Sequence, residues 1–181
     1  ISAEADRAGA AEGDLQAAAG GVSPKVTVSP AVIPVGGTGL VSVTNLPPGT
    51  PVTVSSLPRV PAKTMATDVT GTANIPVSPS GSGVVTIAVT GGGLRTTTAV
   101  YIPLAVLPAA ARVNKPVSAT ASGVPPKSTA VFKFGSLTFT GTATGSGSVK
   151  VALKFPKIGT YSGTVTVAGQ VIASGTVIVG K

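Results

Sequence analysis

Residues 40–54 read LVSVTNLPPGTPVTV, and this stretch decides the fold class. Apolar and polar residues alternate from Leu40 to Thr44, a Pro-Pro-Gly turn follows, and the alternation resumes at Val52. Strict alternation predicts a strand with one buried face, and Pro and Gly between two such runs predict a tight connection. The segment therefore predicts two strands joined by a turn, each with one buried face, as in antiparallel sheets.

The same pattern extends on both sides of this stretch. Residues 25–29 alternate before Pro30, and further alternating runs occupy residues 73–77, 84–89 and 94–102. Each run is short, rich in Val, Ile and Thr, and bounded by Gly or Pro, which is typical of β-strands. The glycines at 91–93 precede another strand rather than a helix, so they predict a hairpin turn and not a phosphate cradle. Roughly seven strands with one buried face predict a sandwich over residues 22–103.

The order of these features recurs about 78 residues later. Shared composition is the alternative explanation, but apolar positions, turn prolines and glycines coincide at this one offset, with a slip of about two residues in the middle. Strand and turn residues align as Val26, Val28 and Pro30 with Leu104, Val106 and Pro108, Leu46-Pro47-Pro48 with Val124-Pro125-Pro126, and Ile87, Val89 and Gly91 with Val165, Val167 and Gly169. The repeat predicts a second sandwich over residues 104–181.

Several of these strings resemble the immunoglobulin-like repeats of bacterial secreted and surface proteins. The resemblance rests on VTVSP (26–30), VGGT (35–38), NLPPGTPVTV (45–54) and TDVTGTA (67–73). In the second unit, GTYSG (159–163) resembles the tyrosine corner, which implies a hydrogen bond from the Tyr161 hydroxyl to the backbone. At an offset of 78, Gly83 takes that place in the first unit. The resemblance implies an all-β fold of two tandem immunoglobulin-like β-sandwiches and says little about function, since such sandwiches host many roles.

Residues 1–21 differ in composition from the rest of the chain. They are rich in Ala and end at Gly20-Gly21, which predicts a short N-terminal arm, helical or extended, that becomes ordered against a partner. A frayed tail is the alternative. The arm holds four of the five carboxylate side chains of the chain: Glu4, Asp6, Glu12 and Asp14.

The charge is unevenly distributed along the chain. The formal net charge is +8, and no carboxylate side chain occurs from Val69 to Lys181, so the positive charge there is solvated or met by an outside anion. Aromatic residues make up 3%, there is no Trp, and the lysines are dispersed, which predicts no nucleic-acid partner. No apolar run approaches the roughly 20 residues of a membrane-spanning helix, so no transmembrane segment is predicted.

The residue types that catalysis and metal binding need are missing. The chain has no His and no Cys, and paired carboxylates are absent from both predicted sandwiches. We therefore predict no enzyme activity, no cofactor and no metal. Some immunoglobulin-like surface domains carry an internal Lys–Asn bond promoted by a buried acid, so the resemblance implies a conceivable bond between Lys63 and Asn74 with Asp68 as that acid. Ordinary loop residues are the simpler interpretation. Phe132, Phe134 and Phe139 are predicted to be core residues rather than a sugar platform.

The outward strand positions suggest a function. They carry mainly Thr, Ser, Ala and Gly, and residues 171–179 form a strand without any charge, although edge strands usually carry charges that prevent association. We therefore predict a non-catalytic structural protein, extracellular or at the cell surface, that forms a filament or surface assembly with itself by head-to-tail contacts. The predicted contacts join the acidic arm to the basic second domain: Glu4, Asp6, Glu12, Asp14, Lys150, Lys154 and Lys157.

Three alternatives remain at this point. The chain is a monomeric spacer in a longer surface protein, an adhesin or wall-binding module whose lysines meet anionic cell-wall polymers, or a capsid or tail decoration protein of a bacteriophage. The last alternative would place it in a virion.

Overall fold

A computed structural model describes residues 23–181. These residues form fifteen β-strands and contain no helix, so the all-β class is confirmed. The predicted N-terminal arm, residues 1–21, lies outside the described residues. We refer to residues 23–103 as the first unit and to residues 104–181 as the second unit.

The first unit has seven strands in two antiparallel sheets. One sheet has the order β1-β2-β5 and the other has the order β4-β3-β6-β7. The strands are β1 (Lys25–Ser29), β2 (Gly39–Thr44), β3 (Pro51–Ser56), β4 (Val60–Ala66), β5 (Ala73–Val77), β6 (Gly83–Gly91) and β7 (Leu94–Ile102). Two stacked sheets with these connections form an immunoglobulin-like sandwich, as predicted.

The second unit has eight strands and repeats this architecture. Its sheets have the orders β13-β10-β8 and β12-β11-β14-β15-β9. The strands are β8 (Leu104–Val106), β9 (Ala110–Arg112), β10 (Pro116–Ser122), β11 (Thr129–Phe134), β12 (Leu137–Thr142), β13 (Ser148–Lys154), β14 (Gly159–Val167) and β15 (Gln170–Gly180). Only Pro103 separates β7 from β8, so the connection between the two units is very short.

Each unit encloses a hydrophobic cluster between its sheets. The first cluster is built from Val and Ile, with Ile75 and Ile87 fully buried. The second contains Phe132 and Phe134, both fully buried, and the ring of Phe134 meets that of Phe155 edge-on with centroids 5.4 Å apart. The prediction of core phenylalanines is thus confirmed for these two residues, and Phe139 packs half-buried beside them.

The turn hydrogen bonds recur at the predicted offset. The amide and the hydroxyl of Thr50 both donate to the carbonyl of Pro47, at 3.2 and 2.6 Å. Ser128, 78 residues later, donates to the carbonyl of Pro125 in the same way, at 3.1 and 2.6 Å. The internal repeat is therefore a repeat of structure and not only of composition.

The offset of strand β14 corrects one part of the predicted alignment. Val54 pairs with Val89, and the residue 78 positions after Val54, Phe132, pairs with Val165. Val89 thus corresponds to Val165, at an offset of 76, and the predicted match of Val89 with Val167 is wrong. The slip of two residues preserves which side chains face the core, since strand side chains alternate with period two. Val85, and not Gly83, consequently corresponds to Tyr161.

The N-terminal strand of each unit crosses from one sheet to the other. In the first unit β1 pairs with β2, and the chain then bridges β7 in parallel through Val32 and Tyr101. In the second unit β8 pairs with β10, and β9 then runs parallel to β15, with Ala110 opposite Ile178. Val32 and Ala110 are 78 residues apart, so the crossing belongs to the repeat.

Candidate assembly surface

The crossing strand of the first unit contacts the second unit. Ile33 points into the core of its own unit, and Val32, which points the other way, is 2% exposed and belongs to the hydrophobic cluster of the second unit. Tyr101 packs against that same cluster. At the same junction, a Cβ on Gly123 would lie 2.7 Å from the Cα of Gly83. The outward face of the Val32–Tyr101 pair is therefore covered by the second unit.

Among residues 23–181, nothing covers the equivalent face of the second unit. Ala111 packs against its own core, while Ala110 points outward and is exposed. Ile178, the parallel neighbour of Ala110, is 62% exposed. The same strand pair thus ends in a buried contact in one unit and, in the other, in an apolar face that no described residue covers.

A groove of about 600 Å³ lies beside this open pair. It forms because β8 pairs only with residues 120–122 of β10, so within residues 23–181 the first residues of β10 have no paired strand on that side once the chain has crossed to β9. We call it the end groove, and it is lined chiefly by Ala110, Arg112, Lys115, Pro116, Val117 and Ile178.

Two of the three predicted contact lysines lie at the same end of the second unit. Lys154 is exposed and pairs with Pro116, a lining residue of the end groove. Lys157 is exposed in the loop that follows, before β14. Lys150 lies on the same strand as Lys154 but farther from the groove, where it pairs with Thr120 of β10. The other predicted contacts, Glu4, Asp6, Glu12 and Asp14, lie outside the described residues.

Arg112 and Lys115 were not singled out from the sequence, although both line the end groove and are exposed. A signal for them exists in the repeat. They lie 78 residues after Pro34 and Gly37, which follow Val32 in the crossing segment of the first unit. Arg112 and Lys115 thus occupy the equivalent segment of the second unit. Recognising them required knowing that this segment contacts the next unit.

Tyr161 fixes the loop that carries Lys157. Its hydroxyl donates to the carbonyl of Lys157 at 3.1 Å, and its ring packs on Phe155 with centroids 4.7 Å apart. The tyrosine corner implied by the sequence resemblance is confirmed. Because the hydroxyl is bonded to the backbone, the loop holds Lys157 and the 55% exposed Ile158 at the same end as the end groove.

Asp68 is the one carboxylate side chain among residues 23–181, and it serves a turn. Its Oδ1 accepts hydrogen bonds from the Thr70 hydroxyl at 2.6 Å and from the amides of Thr70 and Thr72 at 2.8 and 3.0 Å. The Thr70 hydroxyl, followed by the Thr72 amide, lowers the pKa of Asp68. Since Asp68 is exposed, it is not the buried acid that a Lys63–Asn74 bond would need.

Arg59 is a structural residue that the sequence did not reveal. Its guanidinium donates to the carbonyls of Ser80, Ser82 and Val84 at 3.0, 2.7 and 3.2 Å. These bonds tie the turn after β3 to the loop before β6. Because all three acceptors are backbone atoms, no residue type marked this arrangement in the sequence.

Within residues 23–181, no group of three or more His, Cys, Asp or Glu side chains could hold a metal ion. The same part of the chain contains no helix long and apolar enough to span a membrane.

Comparison with known proteins gives likenesses among solved structures. No protein-family model and no curated protein matches the chain. The chain is similar to invasin, a bacterial integrin-binding protein, at 18% identity and a TM-score of 0.41, over 87% of this chain and 39% of that one. It is also similar to a 282-residue C-terminal fragment of intimin, solved with the intimin-binding domain of its translocated receptor. That match has 16% identity and a TM-score of 0.48, over 87% of this chain and 64% of the fragment. Domains 5–6 of the S-layer protein SbsC match at 12% identity and a TM-score of 0.31, over 87% of this chain and 98% of that one.

Proposed function

We propose that this chain is a non-catalytic structural module of an extracellular or cell-surface assembly, in which copies associate head to tail through the open end of the second unit. The observation that supports it is the contrast between two equivalent faces. The Val32–Tyr101 face is covered by the next unit, whereas no residue of 23–181 covers the Ala110–Ile178 face. The proposal treats residues 22–103 and 104–181 as two domains in series.

The direction of the strands supports a head-to-tail contact. From Ser23 the chain runs along β1 toward Val32, which contacts the second unit. Ser23 therefore lies at the end of the first unit that is far from the junction. The end groove follows β9 and the last residues of β15, so it lies beyond the junction on the other side. A contact between two different ends of the same chain is heterologous, and it propagates into a filament unless its rotation closes a ring.

The edges of the second unit support association as well. β9 pairs only with residues 178–180 of β15, so most of this edge of β15 has no paired strand among the described residues and carries no charged residue. Val171 at the start of this strand is 53% exposed. Edges of this type lack the usual protection against edge-to-edge contacts.

The test compares two substitutions at exposed apolar positions of the full chain. Ile178→Lys places a charge on the Ala110–Ile178 face, and Leu40→Lys places the same charge on β2, the central strand of a first-unit sheet, where Leu40 is 39% exposed. We expect light scattering to show assemblies that grow with concentration for the parent and for Leu40→Lys, and their loss for Ile178→Lys. A parent chain that stays monomeric up to its solubility limit would refute the proposal.

A binding module for anionic cell-wall polymers is the second candidate. It is favoured by the exposed cations around the end groove, which have no carboxylate side chain in their own unit: Arg112, Lys115, Lys154 and Lys157. Binding of long-chain polyphosphate by the monomer, weakened steeply by salt, would support this function. If the monomer does not bind polyphosphate at low salt, this second function is excluded.

A further inference from the structure

The chemistry of the end groove specifies its ligand. Small and apolar residues, such as Ala110, Val117 and Ile178, line it together with the exposed cations Arg112 and Lys115. Lys154 and Lys157 add positive charge at the same end. A groove of this kind fits a peptide with small side chains and several carboxylates.

One segment of this chain has that composition. Residues 1–22 contain eight Ala and four Gly, and their four carboxylates with one Arg give a net side-chain charge of −3. Outside this segment the chain has a single carboxylate side chain, that of Asp68, which is engaged in its own turn. The acidic segment and the basic groove are therefore complementary in charge and in side-chain size.

We propose that residues 1–22 of one copy dock in the end groove of the next copy, with alanines on its apolar lining residues and carboxylates facing Arg112, Lys115, Lys154 and Lys157. This inference rests on the proposed head-to-tail function and names its contact.

Chain geometry favours a neighbouring copy over the same chain. The carbonyl of Ser23 accepts a hydrogen bond from Asn45 at 3.2 Å, which fixes the start of the described chain at the far end of the first unit. Two units in series, with strands of about nine residues each, are roughly 60 Å long. Nine residues from Ser23 to Asp14 span at most about 32 Å. Glu12 and Asp14 are therefore too near to Ser23 to reach the end groove of their own chain.

The junction inside the chain explains why an extra segment is needed. Its close approach depends on Gly123, where a Cβ would lie 2.7 Å from the Cα of Gly83. The residue 78 positions before Gly123 is Asn45, with nearly the same positive φ of 67° but with a side chain. The first unit of a neighbour therefore cannot seat on the open end as closely as the second unit seats on the first. An acidic segment that fills the remaining groove completes the contact.

The test reverses charges on each side and then mixes the variants. In the full chain, a groove variant that carries Arg112→Glu, Lys115→Glu, Lys154→Glu and Lys157→Glu is expected to weaken self-association by roughly tenfold or more, because four attractions become repulsions. The control carries Lys63→Glu, Lys127→Glu, Lys133→Glu and Lys150→Glu, which change the net charge equally at exposed positions outside the groove. A second variant carries Glu4→Lys, Asp6→Lys, Glu12→Lys and Asp14→Lys, and it is also expected to lose self-association.

Mixing the two reversed variants is decisive. The basic segment of one then meets the acidic groove of the other, and the natural acidic segment meets the natural groove, so assemblies should return. Circular dichroism and thermal unfolding establish that every variant is folded. If the parent associates and the groove reversal associates equally well, or if mixing restores nothing, docking in this groove is refuted while head-to-tail association stands. If the parent does not associate at all, the proposed function itself fails.

Discussion

Ala110 lies beside Ile178 in the same parallel relation that Val32 has to Tyr101. The backbone hydrogen bonds repeat as well, since the amide of Tyr101 donates to the carbonyl of Ala31 and the amide of Ile178 donates to that of Ala109, both at 3.0 Å. The two pairs differ in what covers them. Val32 and Tyr101 pack against the next unit, whereas Ala110 and Ile178 are exposed in the described part of the chain. One structural element thus forms a junction between the units and leaves an equivalent exposed surface on the second unit.

The junction should contribute measurably to stability. Val32→Ala removes buried methyl groups from the cluster of the second unit, and we expect a loss of about 1.5 kcal/mol in the free energy of unfolding. Val106→Ala makes the same chemical change at a position that is 58% exposed, and should change stability by less than about 0.5 kcal/mol. Urea unfolding followed by circular dichroism measures both. Equal losses in the two variants would show that Val32 does not couple the units.

The tyrosine corner predicts a second difference. Tyr161→Phe removes the hydrogen bond to the carbonyl of Lys157 and should cost about 1 kcal/mol of unfolding free energy. Tyr101→Phe is the matched control, because the Tyr101 hydroxyl makes no hydrogen bond to a side chain or backbone atom within residues 23–181. Thermal unfolding of the two variants beside the parent checks the prediction. A Tyr101→Phe variant as destabilised as Tyr161→Phe would contradict it.

The repeat of the fold was predictable because turn chemistry is local. Pro47 and Pro125 each begin a turn closed by a hydroxyl residue three positions later, and this signal needs no tertiary information. The slip in β14 was not predictable, since a shift of two residues leaves the buried face of a strand unchanged. Val89 and Val165 could be matched only through their partners, Val54 and Phe132.

The candidate surface was predictable only in its charge. The absence of carboxylates after Asp68 indicated a basic second unit, and Lys154 and Lys157 were named from it. The position of the groove depends on where β9 leaves the sheet of β10, which is a long-range property. Arg112 and Lys115 therefore gained their meaning only from the fold.

Two glycines with the same backbone conformation should respond differently to substitution. Gly71 and Gly49 have φ values of 75° and 76°, so Ala at either position carries a similar cost of about 1–2 kcal/mol for the left-handed conformation. A Cβ at Gly71 would in addition collide with the carbonyl oxygen of Leu46, whereas a Cβ at Gly49 meets nothing within 4 Å. We expect Gly71→Ala to be the more destabilising by at least about 1 kcal/mol in urea unfolding. Similar losses for both variants would show that the close approach is relieved at no cost.

The response of stability to acid should come from one described residue. Asp68 has a lowered pKa in the folded chain, because the Thr70 hydroxyl and the Thr72 amide bind its ionised form. A group whose pKa is lowered on folding stabilises the fold above its unfolded value of about 3.9, and that contribution disappears as the pH falls through the folded pKa. We therefore expect the urea concentration at the unfolding midpoint of the first unit to decrease when the pH is lowered below about 4.

The measurement follows urea unfolding from pH 7 to pH 2, in steps of about one unit to resolve a single titration, at dilutions where the chain is monomeric. Asp68→Asn keeps the side-chain oxygen as an acceptor and removes the titration, while Glu4, Asp6, Glu12 and Asp14 still titrate as in the parent. The Asn variant should therefore lose the acid-dependent part of the first unit's midpoint. The second unit has no carboxylate side chain, so its midpoint should remain level in both chains. An equal acid-induced fall in parent and variant would mean that the Thr70 and Thr72 bonds do not favour the charged form of Asp68.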